Sequence, residues 1–240
     1  MCKFIRAEID IFIPELKIGF EFNGIFWHSD YMNKSDEDNY KHKNKYDRYI
    51  EKDLTIYNVW EDDWTFKRDI VKSNIMKIFG VVSIIEQFDY IIDTILDQEA
   101  EAFLNKNHIE GYTISDTHLG LFIDDKLYSI MSFKNSGELI EIIRHCDILN
   151  TVIDGSAQLL FDYFRNNLNS SKKDIMLLAD NFWPSNLAEN LGFDYVKDTD
   201  IDFTLVVEEK RINKSECPTI FEEFNRIYDS GKKVYYYSTF

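Results

Sequence analysis

Carboxylate, amide and imidazole side chains stand close together in the first part of the chain. Asp10, Glu21 and Asn23 lie in two short apolar runs, and His28 and His42 follow them. Two carboxylates on adjacent strands suit Mg²⁺, and such an ion can activate water for attack on a phosphodiester. Imidazole titrates near neutral pH, so either histidine could accept or donate a proton in that reaction. These residue types predict a Mg²⁺ site at Asp10 and Glu21, with Mn²⁺ as an alternative ion.

A hairpin must position these carboxylates. Residues 8–13 and 18–23 alternate isoleucine or phenylalanine with other residues on either side of a turn, which is typical of paired strands. Side chains two apart on a strand face the same way, so Glu21 and Asn23 share a face, which Asp10 joins if the two faces coincide. The alternative interpretation of these residues is a hairpin at the edge of a sheet, with its acidic side chains facing solvent.

Three further elements complete a first domain over residues 1–80. The second half of the charged stretch 30–53 has helical spacing, and residues 54–60 read as a strand. Apolar positions recur with helical spacing over 65–79, and Gly80 follows as a helix stop signal. The order is strand, strand, helix, strand, helix.

The rest of the chain predicts a helical connector over 81–98 and a second domain over 99–240. This domain is expected to be a mixed sheet with helices packed on it. Its predicted elements are a helix at 99–107, a hairpin at 119–133 turning at Asp124 and Asp125, a strand at 138–146, a helix at 156–168, a strand at 174–180, a short helix at 184–193 and a strand at 202–206. The fold class is therefore α/β in the mixed α+β sense.

Composition and charge limit the classes of protein to which this chain can belong. A hydrophobic content of 45% is enough for a packed core, and no apolar run approaches the roughly 20 residues that a membrane helix needs. Net charge is −16, but residues 1–85 contribute 13 − 15 = −2 and the remainder 14 − 28 = −14. The nearly neutral first third leaves room for a nucleic-acid partner. Cys2, Cys146 and Cys217 have no metal or disulfide spacing, which predicts free thiols, with Cys146 buried, in a cytoplasmic protein.

A dense set of motifs in the first domain resembles a known family. The runs "EIDIFIPELKIGFEFNGIFWHSD", "KHKNKYDRYIEKDLTIYNVWEDDW" and "KRDIVKSNI" resemble phage homing endonucleases of the EDxHD type, which are related to the very-short-patch repair endonucleases. The resemblance implies a restriction-endonuclease-like PD-(D/E)XK sheet with flanking helices, and hydrolysis of DNA phosphodiester bonds with Mg²⁺. Because the chain begins seven residues before Glu8, we expect this unit to lack the family's usual upstream helix and to be truncated or degenerate.

The resemblance also implies roles for single residues. Asn23 stands where the fold normally has a lysine, so Lys45 would supply the positive charge, and His28 would be the acid or base with His42 as a second candidate. Trp27 is similar to an aromatic that wedges into the base stack, although a core tryptophan is the alternative. The implied catalytic set is Asp10, Glu21, Asn23, His28, His42 and Lys45, and the implied DNA contacts are Trp27, Lys41 and Lys43.

The second domain resembles the region attached to many of these endonucleases, which is similar in element order to the GNAT acetyltransferase fold. The stretches "FLNKNHIEGYTISDTHLGLFIDDKLYSIMSF" and "LLADNFWPSNLAENLGF" carry this resemblance. In that fold a loop R/Q-x-x-G-x-G/A holds the coenzyme A pyrophosphate, and Gly155, Ser156 and Ala157 match its second half. Val152 replaces the Arg or Gln, and Asp154 adds a negative charge, so we do not expect acetyl-CoA to bind.

Three functions follow from these observations. The leading one is a phage-type, Mg²⁺-dependent DNA endonuclease that acts alone, as a homodimer or with a completing chain, in the cytoplasm of a bacterial host. The second is a GNAT-type acyltransferase that modifies DNA or a protein. The third is a non-catalytic protein whose acidic surface binds a host DNA-binding factor.

Overall fold

The computed structural model describes residues 9–32, 35–214 and 224–239, so Glu8, Cys2 and Cys217 lie outside the described residues. The chain forms two compact units. The first contains residues up to Phe66 together with 179–185 and 197–233, and the second contains 67–178, 186–196 and 234–240. The domain division at residues 80 and 98 stays a prediction.

Helices and strands alternate along the described chain. The strands are β1 (Ile11–Ile13), β2 (Ile18–Asn23), β3 (Thr55–Trp60), β4 (Ser83–Ile85), β5 (Ile91–Thr94), β6 (Thr117–Ile123), β7 (Lys126–Ser136), β8 (Leu139–Asp147), β9 (Thr151–Ile153), β10 (Asp174–Asp180), β11 (Asp194–Asp198), β12 (Phe203–Val207), β13 (Lys210–Ile212), β14 (Asn225–Tyr228) and β15 (Lys232–Tyr237). The helices are α1 (Ile25–His28), α2 (Asp36–Asn39), α3 (Lys41–Ile50), α4 (Glu61–Phe66), α5 (Arg68–Ile78), α6 (Asp97–Asn107), α7 (Ser156–Tyr163), continued by a π-helical segment (Phe164–Leu168), and α8 (Leu187–Asn190). This content confirms the predicted mixed α+β class.

The first unit is built on the sheet β1-β2-β3. β1 and β2 form the predicted antiparallel hairpin, with Ile11 opposite Phe20, and β3 runs parallel to β2. A parallel pair needs a crossover connection, and α3 lies within it. Gly19 is required in β2, since a Cβ there would lie 2.7 Å from side-chain atoms of Ile9 and Ile56. A second small sheet has the order β13-β12-β14.

The second unit is built on a seven-stranded sheet in the order β11-β15-β10-β8-β7-β6-β5. The strands from β5 to β8 are antiparallel neighbours, whereas β8 and β10 are parallel. The β8–β10 pairing ends at Ile142 and Leu177, but β8 continues to Asp147 beside β7. The two strands of the parallel pair therefore separate before β8 ends.

Three stretches differ from the sequence-based expectation. The helix expected over 65–79 is divided between α4 and α5 because Lys67 leaves helical geometry, with φ −129° and ψ 33°. The stretch 81–98, expected to be helical, holds β4 and β5, in agreement with the strand preference of its paired isoleucines. The helix expected over 184–193 is reduced to α8. None of the helices in the described ranges is long and apolar enough to cross a membrane.

Candidate functional site

The two histidines of the first unit lie in direct contact. His28 ends α1 and His42 lies in the first turn of α3, and the Nδ1 atom of His28 is 3.0 Å from the Nε2 atom of His42. The ring of Trp60, at the end of β3, packs against both imidazoles, with centroid distances of 5.6 and 5.4 Å. Glu61 holds α1 in place because its Oε2 accepts a hydrogen bond of 2.9 Å from the Ile25 N–H. The sequence prediction thus named two residues that the fold brings together.

Both imidazoles are neutral at pH 7. Burial, followed by the charges of Lys41 and Lys45, lowers the pKa of His28 to about 4, against an opposing effect of Asp10. Burial and the neighbouring His28 lower the pKa of His42 to about 3. A neutral imidazole has one N–H donor and one lone pair, so the 3.0 Å contact is a hydrogen bond in which one ring donates and the other accepts.

Glu21 is a buried carboxylate whose charge is already compensated. Its side chain belongs to a residue that is only 3% exposed, and Oε1 accepts from the Tyr49 hydroxyl at 2.5 Å and lies 2.6 Å from the Lys45 Nζ. The Asn23 Nδ2 donates to the Asn58 Oδ1 at 2.9 Å. A cavity of about 10 Å³, lined in part by Glu21, Lys45 and Asn58, has room for about one water molecule.

The Mg²⁺ site expected at Asp10 and Glu21 stays a prediction, and both carboxylates already have partners. Lys45 already neutralises Glu21, and the Asp10 Oδ2 accepts a hydrogen bond of 2.8 Å from the Phe22 N–H. The described residues contain no group of three or more histidine, cysteine or acidic side chains that could hold a metal ion. Glu21 is thus an ion-paired structural acid, and the catalytic use of the surrounding residues stays a prediction.

Of the residues expected to contact DNA, Trp27 and Lys41 are exposed. Trp27 is 64% exposed and packs edge to face on Phe26, with ring centroids 5.2 Å apart, so it is not a core tryptophan. Lys41 is exposed, whereas Lys43 is paired with Asp47 at 2.5 Å. A DNA partner stays a prediction.

In the second unit, the loop containing Gly155 leads directly into α7. Gly155 has φ +73°, a left-handed conformation that glycine adopts without strain, and a Cβ built there would meet nothing within 4 Å. Among the described residues, no acceptor bonds to the N–H groups of Ser156, Ala157 and Gln158 in the first turn of α7. The loop therefore presents three free donors beside an open space.

Asp147, which the sequence analysis did not identify as a candidate, holds this loop in place. It is the last residue of β8, and its carboxylate accepts from the Ile153 N–H at 3.1 Å and from the Ser156 Oγ at 2.8 Å. The Asp154 N–H donates to the carbonyl of Ile85 in β4 at 3.0 Å. These bonds place the first residue of α7 against the carboxyl end of β8. Nothing local in the sequence marks Asp147 for this role, since its partners follow six and nine residues later.

Cys146 is the free cysteine among the described residues. Burial raises the pKa of its thiol to about 12, so the thiol is protonated at neutral pH and is not a nucleophile. Cys146 is only half-buried, unlike the expected buried cysteine, but its protonated thiol agrees with the expectation of an inert one.

Comparison with known proteins gives structural neighbours only. No family model and no curated protein matches the chain. Similar solved structures include a GNAT family acetyltransferase from Elizabethkingia anophelis with acetyl-CoA bound, at 15% identity over 63% of this chain and 99% of that chain, with a TM-score of 0.41. A Bacillus subtilis acetyltransferase in complex with CoA matches at 16% identity over 62% and 99%, with a TM-score of 0.40. A probable acetyltransferase from Staphylococcus epidermidis matches at 13% over 63% and 100%, with a TM-score of 0.39.

These neighbours support the GNAT-like part of the resemblance and give no support to a PD-(D/E)XK nuclease. The neighbours named here are acetyltransferases, whereas the sequence analysis predicted a nuclease. The Mg²⁺-dependent DNA endonuclease is therefore wrong as a prediction. The exclusion of acetyl-CoA is wrong as well, since two of these neighbours were solved with acetyl-CoA or CoA bound.

Proposed function

We propose that the chain is a GNAT-type acyltransferase that uses an acyl-CoA donor. The observation that carries the proposal is the position of α7, whose first residue is bonded to the last residue of β8 through the Ser156 Oγ and Asp147 contact of 2.8 Å. Ligands of open sheets bind outside the carboxyl ends of parallel strands, and β8 is one of the parallel pair. A helix N-terminus favours phosphate there because its free N–H groups and its dipole both attract negative charge.

The residues of this loop fit a diphosphate group. The N–H groups of Ser156, Ala157 and Gln158 have no acceptor within the described part of the chain, and Gly155 leaves the space in front of them open. The Asp147 carboxylate is buried and faces its own two donors. Asp154 is exposed, and its charge is expected to weaken phosphate binding without blocking the donors.

The separated strands give a second reason. Beyond Ile142 and Leu177, β8 and β10 no longer exchange hydrogen bonds, although β8 continues to Asp147. This segment of β8 lies beside the α7 loop because Asp147 at its end is bonded to Ser156. An acyl-CoA would supply an activated thioester, and the chain would hold it through the α7 loop and orient it along this segment.

Calorimetric titration of the full chain with acetyl-CoA tests the proposal. Gly155→Val is expected to weaken binding about tenfold, because a non-glycine residue in the left-handed region costs roughly 1–2 kcal/mol and relief of that strain moves the loop N–H groups out of position. Gly137→Val is the matched control, since Gly137 also has a positive φ, of +74°, with nothing within 4 Å of its Cβ. This control should bind as the wild type does.

An absence of both heat and a thermal shift with acetyl-CoA would contradict the proposal and favour the non-catalytic interaction protein. Equal weakening by Gly155→Val and Gly137→Val would show that the loop is not the binding element. The acceptor, whether DNA or protein, and a cytoplasmic location remain part of the proposal; the free Cys146 thiol suits a reducing compartment.

A further inference from the structure

A buried histidine of the second unit has an unused nitrogen. His118 in β6 is 2% exposed, and its Nδ1 lies 2.7 Å from the Ser132 Oγ of β7. Its Nε2 has no hydrogen-bond partner among the described residues. The nearest charged atom is the Asp97 Oδ1 at 3.6 Å, which is too far for a hydrogen bond. A buried polar atom without a partner is costly, so this nitrogen calls for an explanation.

One carboxylate and an aromatic ring lie close to this nitrogen, and a second carboxylate lies on the same helix as the first. Asp97 begins α6, and Glu101 lies four residues later on the same face of the helix. The ring of Tyr112 is 5.7 Å from the ring of His118. Burial, followed by the charges of Asp97 and Glu101, raises the pKa of the Tyr112 hydroxyl, so both carboxylates act on the same small region.

We propose that Asp97, Glu101, Tyr112 and His118 form a binding site for an alkylammonium ion. The ammonium group of such an ion has three N–H donors, and the two carboxylates can accept two of them. When the His118 Nδ1–H donates to the Ser132 Oγ, the Nε2 lone pair accepts the third. The Tyr112 ring offers a cation–π contact and an apolar surface for the alkyl chain.

The protonation state of His118 supports this assignment. Burial lowers the pKa of His118, against the opposing charge of Asp97, so the imidazole is neutral at pH 7 and keeps a lone pair. The same two carboxylates disfavour an anion. The site includes no residue of the α7 loop and needs no acyl-CoA, so it goes beyond the proposed function.

The site can be tested by nuclear magnetic resonance on the full chain with labelled histidine. Titration with n-butylammonium should shift the His118 imidazole signal in a saturable way, whereas n-butanol, which has the same alkyl chain without charge, should not. Asp97→Asn is expected to weaken n-butylammonium binding about tenfold, since it removes a charge-assisted hydrogen bond. Asp97 is 75% exposed at its side chain, so this variant is expected to fold.

Asp93→Asn is the matched control. It removes the same charge from the neighbouring β5, but Asp93 bonds its own chain through the Thr94 N–H at 2.7 Å, so n-butylammonium affinity should be unchanged. The absence of a saturable shift, an equal response to n-butanol, or equal affinity in Asp97→Asn would overturn the proposal. An acetyl-CoA titration of the same sample tests the proposed function separately. The ammonium site and the acyltransferase proposal can therefore be overturned independently of each other.

Discussion

At the scale of single residues, the stability of the first unit depends on how Glu21 is compensated. The carboxylate is buried, and its only cation at short range in the described structure is Lys45, with Nζ 2.6 Å from Oε1. Lys45→Met would leave a buried charge whose remaining partner within the described ranges is the Tyr49 hydroxyl. We expect a loss of about 3 kcal/mol in the free energy of unfolding, measured by urea denaturation.

Lys17→Met is the control for this effect. Lys17 also forms an ion pair, with Asp53, but both side chains are exposed to solvent. Exposed pairs contribute little, so we expect a change within about 0.5 kcal/mol. Similar losses in Lys45→Met and Lys17→Met would mean that Glu21 is not a buried charge in solution.

At the scale of elements, a single substitution in the β6–β7 turn should increase the stability of the second unit. Asp124 and Asp125 form its two-residue loop, and both have positive φ, of 48° and 60°. Hairpin turns of this kind favour glycine at the second position, because a Cβ is strained there. Asp125→Gly should raise the free energy of unfolding by about 1 kcal/mol in thermal or urea denaturation. Gly137→Ala, at a left-handed position of the β7–β8 turn, should lower it, and the same sign in both variants would contradict this account.

Local patterns predicted the elements whose signals lie within one stretch of sequence. Strand β10 begins and ends where alternation and composition placed it, and the Asp124 and Asp125 turn was identified from its residues. The pairing of β4 with β9 could not be predicted, because Ser83 meets Thr151, 68 residues later, in strands of only three residues each. The same reason applies to the sites. His28 and His42 could be named as candidates, but their contact depends on how α1 and α3 pack.

At the scale of the whole molecule, the histidines share one electrostatic property. Burial is the largest cause of a lowered pKa at every histidine of the chain, namely His28, His42, His108, His118 and His145. The native contacts agree with neutral rings. At His108, for example, the Nδ1 accepts a hydrogen bond of 3.1 Å from the Glu110 N–H, which a proton on that nitrogen would break. The folded chain therefore resists protonation at sites that the unfolded chain protonates readily.

This property predicts acid sensitivity well above the range in which carboxylates titrate. The pKa is about 4 for His28 and about 3 for His42 and His108, against 6.5 in the unfolded chain. Below pH 6.5 the unfolded state binds more protons, so the free energy of unfolding falls as the pH falls, until the folded values are reached. From pH 7 to pH 5 each of these three histidines should contribute a loss of up to about 2 kcal/mol, measured by urea denaturation at both pH values. His42→Asn should reduce the total loss by that amount, whereas equal stability of the wild type at pH 7 and pH 5 would show that these rings are not buried as neutral groups.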